Sequence, residues 1–448
     1  AASAGGFALG WLTFSKPSDA PPSAAAPAAA KSRPIVTHRF PLSAADAALD
    51  RETPAVAADA RGRVLVAWAS QSGDDERTLW LARSGDGGAT FAKPAPYRTV
   101  KTYRYTSKMG GKEVVRSTSV VPRLASDGER MHLAWTEAGE GGPMVRFYVA
   151  RTSDGGQTFS EPASASSDGA ERPAFTAMSV GADGTVACAW LDHRNHVQQP
   201  FCSVWAPGGE PSWTERLAYP GPETGGVCPC CDTDVLRAAD GGTFVAFRNN
   251  DHDYRDVCIA RAKEGPAADF GPAVAVNRER WLFEGCPHDG PSLALSDDQL
   301  HVVWMDAHAG KRRIYYANSD IEELDFSGRE LQPHAAGEQG HPKIVDATGA
   351  LFVVWDASFA DSPADETPRH EGHAHGQLVG AGRAVAFAWS EDRGASFSAG
   401  QAVAPREGAF QMNPSAAAGP AGVAYVVWNE IDEAGKSVGF ARIAAKAK

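Results

Sequence analysis

Several things are scarce in this 448-residue chain, and each scarcity excludes something. The apolar run from Gly5 to Phe14 is too short to cross a bilayer as a helix. No stretch holds a sustained helical apolar period, which argues against a bundle and for strands. Positive charge is outnumbered, with 43 Lys and Arg against 55 Asp and Glu, a formal net charge of −12. Nucleic acid and anionic membranes are therefore poor main partners. There are only seven cysteines, an odd number. In an oxidising compartment some would pair, and at least one would stay a thiol or bind metal.

Glycine and proline are plentiful, at 46 and 30 residues, and the apolar segments between them are short. A β-rich chain of this length can be a single domain. The N-terminus differs, because Pro17 to Ala30 is a Pro/Ala low-complexity stretch. Such linkers are extended spacers. Residues 1–33 read as a signal or anchor remnant followed by a tether, with a disordered tail as the alternative. Residues 34–448 read as the folded domain.

One strand type recurs through that domain. It ends in Trp68, Trp135, Trp190, Trp304, Trp355 and Trp428, each preceded by residues such as Val64-Leu65-Val66-Ala67 or Leu351-Phe352-Val353-Val354. Thr243 to Phe247 is the same strand with Phe in place of Trp. The spacing runs from 51 to 73 residues. A repeat of this length built only from strands predicts a β-propeller of four-stranded antiparallel blades. Seven copies predict seven blades. A Pro opens most inner strands, at Pro54, Pro122, Pro173, Pro291, Pro342 and Pro414. The last unit, ending near Ile443, lacks a fourth strand, and Arg33 to Phe40 precedes the first unit without one of its own. That segment is expected to close the ring as the outer strand of the final blade, removing an open sheet edge.

After the third strand comes Ser84-Gly85-Asp86-Gly87-Gly88-Ala89-Thr90-Phe91, repeated as residues 152–159 and as 390–397. These turns resemble the Asp-box of sialidases and related propellers. The resemblance spans residues 34–448, with three good copies and several decayed ones. The Asp accepts backbone N–H bonds, glycine supplies positive φ, and the aromatic plugs between strands. The motif speaks to fold and not to chemistry. The resemblance implies six blades, the number in sialidases, as the second choice. It also implies three arginines for a substrate carboxylate, a Tyr/Glu pair and an Asp acid/base. The first arginine belongs to an Arg-Ile-Pro at the first inner strand, where this chain has Glu52-Thr53-Pro54. A carboxylate there opposes an anionic substrate. Arg51, Arg123 and Arg172 are out of register, and no Tyr/Glu pair can be assembled.

The main functional signal is a duplicated pair of soft ligands. Cys228-Pro229-Cys230-Cys231 aligns with Cys286-Pro287-His288-Asp289, each just before an inner strand, so Cys228 matches Cys286 and Cys230 matches His288. Propellers sort their loops by face. The loops entering inner strands share a face with the turns between second and third strands, and Asp-box turns lie on the other. The first group holds Cys228, Cys230, Cys231, Cys286, His288 and His341, the segments 192–196, 249–253 (with His252) and 306–308, and the insertion 357–382 with His370, His373 and His375. Thiolate and imidazole suit copper(I) or zinc. The His-rich insertion, the extracytoplasmic signature and the short Cys-x-Cys spacing favour copper. The competing readings are a Cys230–Cys231 or Cys228–Cys286 disulfide and a thiol–disulfide redox role.

Other features have plainer readings. Cys188 and Cys202 flank a turn near Asn195 as cross-strand neighbours, and Cys258 is core packing. His38, His132 and His301 lie in strands as structural residues. The insertion 97–116 carries Arg98, Lys101, Arg104, Lys108, Lys112 and Arg116 with Tyr97, Tyr103 and Tyr105. It would dock an acidic protein partner or anionic ligand on the same face, or simply be solvated. The function expected is a periplasmic or extracellular, membrane-tethered propeller that binds metal at the mouth of its central channel, where the two Cys loops should meet, in copper handling, delivery or cuproprotein assembly. The alternatives are an enzyme, either a metal-dependent oxidoreductase or a divergent glycoside hydrolase, and an interaction scaffold stapled by disulfides.

Overall fold

The structure, a computed structural model, describes residues 36–41, 52–109, 112–139, 144–206, 212–223, 225–263, 265, 268–332, 337–358, 382–420 and 422–445. The tether read at residues 1–33 and the insertion bearing His370, His373 and His375 lie outside them. Every regular element of the described residues is a strand.

Five sheets have four antiparallel strands in chain order. A sixth has eight strands, and its order is two four-stranded halves joined by one parallel bridge between Arg383 and Phe410. Among the described residues, the strand order thus divides into seven four-stranded units, arranged as the blades of a β-propeller. A separate two-stranded hairpin, Arg104–Met109 with Lys112–Ser117, follows the first blade in the chain.

The second strand of each blade is apolar on both sides because it is covered on both sides. Val64 to Ala69, Val186 to Asp192 and Thr243 to Arg248 are buried without alternation. Among the described residues, seven apolar clusters each join two consecutive blades. Leu65 packs in one cluster with Leu133, Phe147 with Trp190, and Ala189 with Val245. Phe244 joins Val302, Val303 joins Val353, and Val354 joins Val426. Val427 joins Val66 of the first blade, so the circle closes. The first strands of all seven units line a central cavity of about 750 Å³.

Closure depends on the N-terminal strand, as the missing fourth strand of the last unit predicted. Val36–Pro41 pairs antiparallel with Gly435–Ala444, from Val36 opposite Arg442 to Pro41 opposite Ser437. Phe40 is buried and stacks on Trp68 of the first blade at 5.4 Å. Arg39 holds Glu430 and Asp432, each at 2.8 Å.

The Asp-box turns behave as local clamps. Asp86 accepts from the Thr90 N–H at 2.9 Å, and the Ser84 hydroxyl accepts from the Gly88 N–H at 2.9 Å. Gly88 has φ +80°, and a Cβ there would sit 2.7 Å from the Phe440 ring of the last blade. The turn therefore needs glycine both for its backbone and for its approach to the neighbouring blade. Phe91 plugs the same junction, edge-on to Phe440 at 4.8 Å.

Candidate functional site

The site lies where the fourth and fifth blades meet, at the end opposite the Asp-box turns. Its first component is the turn before the inner strand Asp234–Arg237, which carries Cys228, Cys230 and Cys231. The Cys228 N–H donates to the Arg248 carbonyl at 3.0 Å, which ties this turn to the end of the second strand of its own blade. The second component is the loop before Ser292–Ser296, with Cys286 and His288. The two loops approach closely. A Cβ on Gly290 would collide with the Asp232 carbonyl, so glycine is required there.

The loops bring four sulfurs together. Cys230 and Cys286 form a disulfide, with Cα atoms 6.3 Å apart. The Cys228 Sγ lies 3.8 Å from the Cys230 Sγ and 3.2 Å from the Cys231 Sγ. The ligand atoms of Cys228, Cys230 and Cys286 all lie within 4.8 Å of one another. Cys228 and Cys231 are buried, whereas Cys230 and Cys286 are half-buried. The disulfide therefore faces outward with the dithiol behind it. Neither pairing weighed from the sequence, Cys230–Cys231 or Cys228–Cys286, is the one formed.

Beneath the sulfurs sits Arg248, only 1% exposed. Its guanidinium donates to three carbonyls: Asp289 at 3.0 Å, Arg255 at 2.7 Å and Met305 at 2.7 Å. It also lies over the Trp281 ring at 5.4 Å. No carboxylate of the described residues pairs with it. A buried cation without a carboxylate favours any anion nearby. The hydrogen bond from Cys231 holds the Cys228 thiol below the usual thiol range, against burial and with help from Arg248. Burial, and the bond it gives to Cys228, push the Cys231 thiol well up. The two thiols are thus pushed in opposite directions, Cys228 down and Cys231 up. Sequence reasoning missed Arg248. A charged residue directly after Phe247, at the end of an apolar strand, was the available signal.

The histidines are placed separately. His288 is half-buried in left-handed backbone, φ 58°. His341 also has positive φ, 52°, and its Nδ1 lies 2.8 Å from the Asp356 Oδ2. Burial opposes protonation of His341, but the carboxylate beside it outweighs this and raises its pKa. Asp356 is fully buried. Burial works against its charge, but Arg383 and His341 hold it strongly ionised. His252 is 74% exposed and contacts Asp251 at 2.9 Å. None of these imidazoles joins the group of three sulfurs.

Backbone bridges link the loop ends of successive blades. The Asp289 Oδ2 accepts from the His341 N–H at 2.6 Å, and the Asp356 Oδ2 accepts from the Asn413 N–H at 2.9 Å. Phe175, His341 and Asn413 all have φ near +52° beside a β-bulge. Such strain in non-glycine residues clusters where a fold presents a site. The central cavity is lined by Thr233, Asp234 and Ser292 but by none of the cysteines. The sulfurs therefore sit over the interface between two blades and not in the channel wall, contrary to the expected place around the channel, because the two loops meet each other side by side.

The remaining sequence candidates are accounted for elsewhere. Cys188 and Cys202 lie on adjacent strands but one residue out of register, since Cys188 faces Ser203 and Ala189 faces Cys202. Alternation sends them to opposite sides of the third blade, beside Trp190 and beside Val235 respectively. Cys258 is buried among Ala260 and Phe247. In the basic insertion, Arg98 pairs with Glu137 at 3.1 Å, and Arg104 pairs with Asp75 at 2.6 Å and Asp74 at 3.0 Å. Glu52 is buried and accepts from Arg77 and from the Val120 N–H. Arg123 reaches Asp232 at 3.2 Å.

No family model and no curated protein matches the chain. Among solved structures, it is similar to the intramolecular trans-sialidase of Ruminococcus gnavus, with 12% identity and TM-score 0.48 over 70% of this chain and 92% of that one. It is also similar to an alpha-L-arabinanase of Penicillium chrysogenum, with 13% identity and TM-score 0.45 over 92% and 97%. NanB sialidase of Streptococcus pneumoniae gives 10% identity and TM-score 0.44 over 88% and 68%. Likenesses this remote carry nothing about chemistry.

Proposed function

We propose that this propeller is an extracytoplasmic thiolate site for a soft metal ion, copper(I) before zinc, serving metal handling, delivery or cuproprotein assembly. One observation carries the reading. Three sulfurs from loops of two blades lie within 4.8 Å of one another, above a buried guanidinium that no described carboxylate neutralises. Thiolate sulfur selects soft ions. The Cys231 hydrogen bond, with Arg248 nearby, favours the thiolate form of Cys228 more than in an ordinary thiol.

Cys228, Cys230 and Cys286 would hold the ion, with Cys231 beside them. The bound ion would supply coordination of soft donors and a charge to balance the thiolates. The chain's own contribution is to gather the sulfurs, bury the inner pair and offset their negative charge with Arg248. Only the reduced protein presents all the donors, because the Cys230–Cys286 bond withdraws two of them. That bond also favours an oxidising compartment. It equally supports a second reading, a scaffold in which the disulfide simply staples two blades. A glycoside hydrolase of the sialidase kind fits less well, because Glu52 occupies the first arginine's place and is neutralised internally.

The test is competition with a chromophoric copper(I) chelator on fully reduced protein. The expectation is one tightly held ion per chain and at least tenfold weaker binding in Cys228→Ser. Unchanged affinity in the Cys228→Ser/Cys286→Ser double variant would defeat the reading.

A further inference from the structure

We propose that Cys228 and Cys231 form a buried dithiol that exchanges with the outward Cys230–Cys286 disulfide, so that the four sulfurs act as a two-step thiol–disulfide relay. This goes beyond metal binding and does not require it. Three arrangements carry it. Cys228-Pro229-Cys230-Cys231 is a Cys-x-x-Cys turn whose outer members lie 3.2 Å apart at sulfur. The same Cys228 sulfur lies 3.8 Å from Cys230 of the disulfide. The disulfide is half-buried while the dithiol is fully buried, so a solvent thiol meets the disulfide first. The other free cysteines, Cys188, Cys202 and Cys258, sit in apolar strand clusters, as packing residues do.

The chemistry balances within the chain. The Cys228 thiolate attacks the Cys230 sulfur. A Cys228–Cys230 bond forms, the Cys230–Cys286 bond breaks, and its electron pair leaves on Cys286, which takes a proton. Cys231, after losing its proton, attacks the Cys228 sulfur. The Cys228–Cys231 bond forms and Cys230 leaves as a thiolate, to be protonated in turn. One disulfide and two thiols remain, and no net oxidation has occurred. The disulfide has moved inward, and a dithiol, Cys230 with Cys286, now faces outward. That dithiol can reduce a disulfide of a small thiol compound or another protein. It gives up two electrons and returns to the Cys230–Cys286 bond. An external dithiol then reduces that outward bond, becoming a disulfide itself, and the freed Cys230 and Cys286 thiols pass the two electrons to the buried Cys228–Cys231 bond by the reverse exchange. Nucleophilic attack by thiolate through a mixed disulfide is the general route for such exchange.

The experiment uses the full-length protein, freed of metal by chelation and held without reductant, then quenched in acid, alkylated and digested with trypsin. Cys228, Cys230 and Cys231 share the peptide 217–237, and Cys286 lies in 281–311. The original bond cross-links these two peptides; the exchanged bond lies within the first and leaves Cys286 alkylated. We expect both species in the wild type, the cross-linked pair alone in Cys228→Ser, and a Cys228–Cys230 bond accumulating in Cys231→Ser. Cross-linked peptides alone at all times, in the wild type and in Cys231→Ser, would overturn the relay. The wild-type measurement stands even if a variant fails to fold. Because no metal is present, failed copper binding leaves this result unaffected.

Discussion

Cys230 and Cys286, 56 residues apart in sequence, are bonded across two neighbouring blades. Five cysteines remain as thiols: Cys188, Cys202, Cys228, Cys231 and Cys258. Thiol titration of non-reduced protein in denaturant should therefore give five, rising to seven after reduction. A count of one, as full pairing of six would leave, would rule out the free dithiol. Closing a loop of this length stabilises by about 4 kcal/mol in the chain-entropy view. Mild reduction should accordingly lower the unfolding midpoint in urea, and the Cys230→Ser variant should show the lowered midpoint before any reduction.

The N-terminal strand is expected to matter through its apolar contact more than through its ion pairs. Phe40 is 6% exposed and stacks on Trp68, whereas the Arg39 side chain is 37% exposed. Phe40→Ala should destabilise by about 3 kcal/mol or more, and Arg39→Ala by about 1 kcal/mol or less. Denaturant titration of both variants measures the difference. Equal effects would mean the strand is not stacked into the ring.

The Asp-box glycines should be unequal. At Gly88 an added Cβ meets Phe440 at 2.7 Å, but at Gly87 it meets only the Tyr425 hydroxyl at 3.6 Å. Both have positive φ, which disfavours alanine by roughly 1 kcal/mol. Gly88→Ala should therefore destabilise by at least about 1 kcal/mol more than Gly87→Ala, through the added overlap. Urea midpoints of the two variants test this, and the reverse order would contradict the packing.

Acidification should act through buried histidines. Burial lowers both His132 and His301 from the ordinary 6.5 to about 4. Above 6.5 both folded and unfolded chains are neutral at these positions, so they contribute nothing there. Between 6.5 and 4 the unfolded chain binds protons that the folded one refuses. Stability therefore falls as pH falls through this window, by up to roughly 3 kcal/mol per histidine. His132→Gln should flatten the slope of unfolding free energy against pH. An unchanged slope would show that this ring is not held neutral.

Much of the architecture was legible because propeller repeats are local. The Trp-ending strands, the Ser84 to Phe91 type of turn and the unit lacking a fourth strand each depend on neighbours in sequence. They predicted the blades, the clamps and the closing strand Val36–Pro41. The diagonal register of Cys188 and Cys202 was within reach of the same alternation but was read as cross-strand contact.

The sequence by itself determined that Cys228 and Cys286 occupy matching places in successive repeats, and therefore that their loops share a face. The tertiary structure alone decided which sulfurs meet. Cys230 bonds Cys286 although Cys230's sequence counterpart is His288, because the loops of adjacent blades approach side by side around the ring and residues at unlike positions come together. It also decided that His341 turns to Asp356 and that Arg248 is buried under the thiols with three carbonyls for company. Charge and reactivity at the site arise from contacts between residues distant in the chain, and no repeat pattern encodes those.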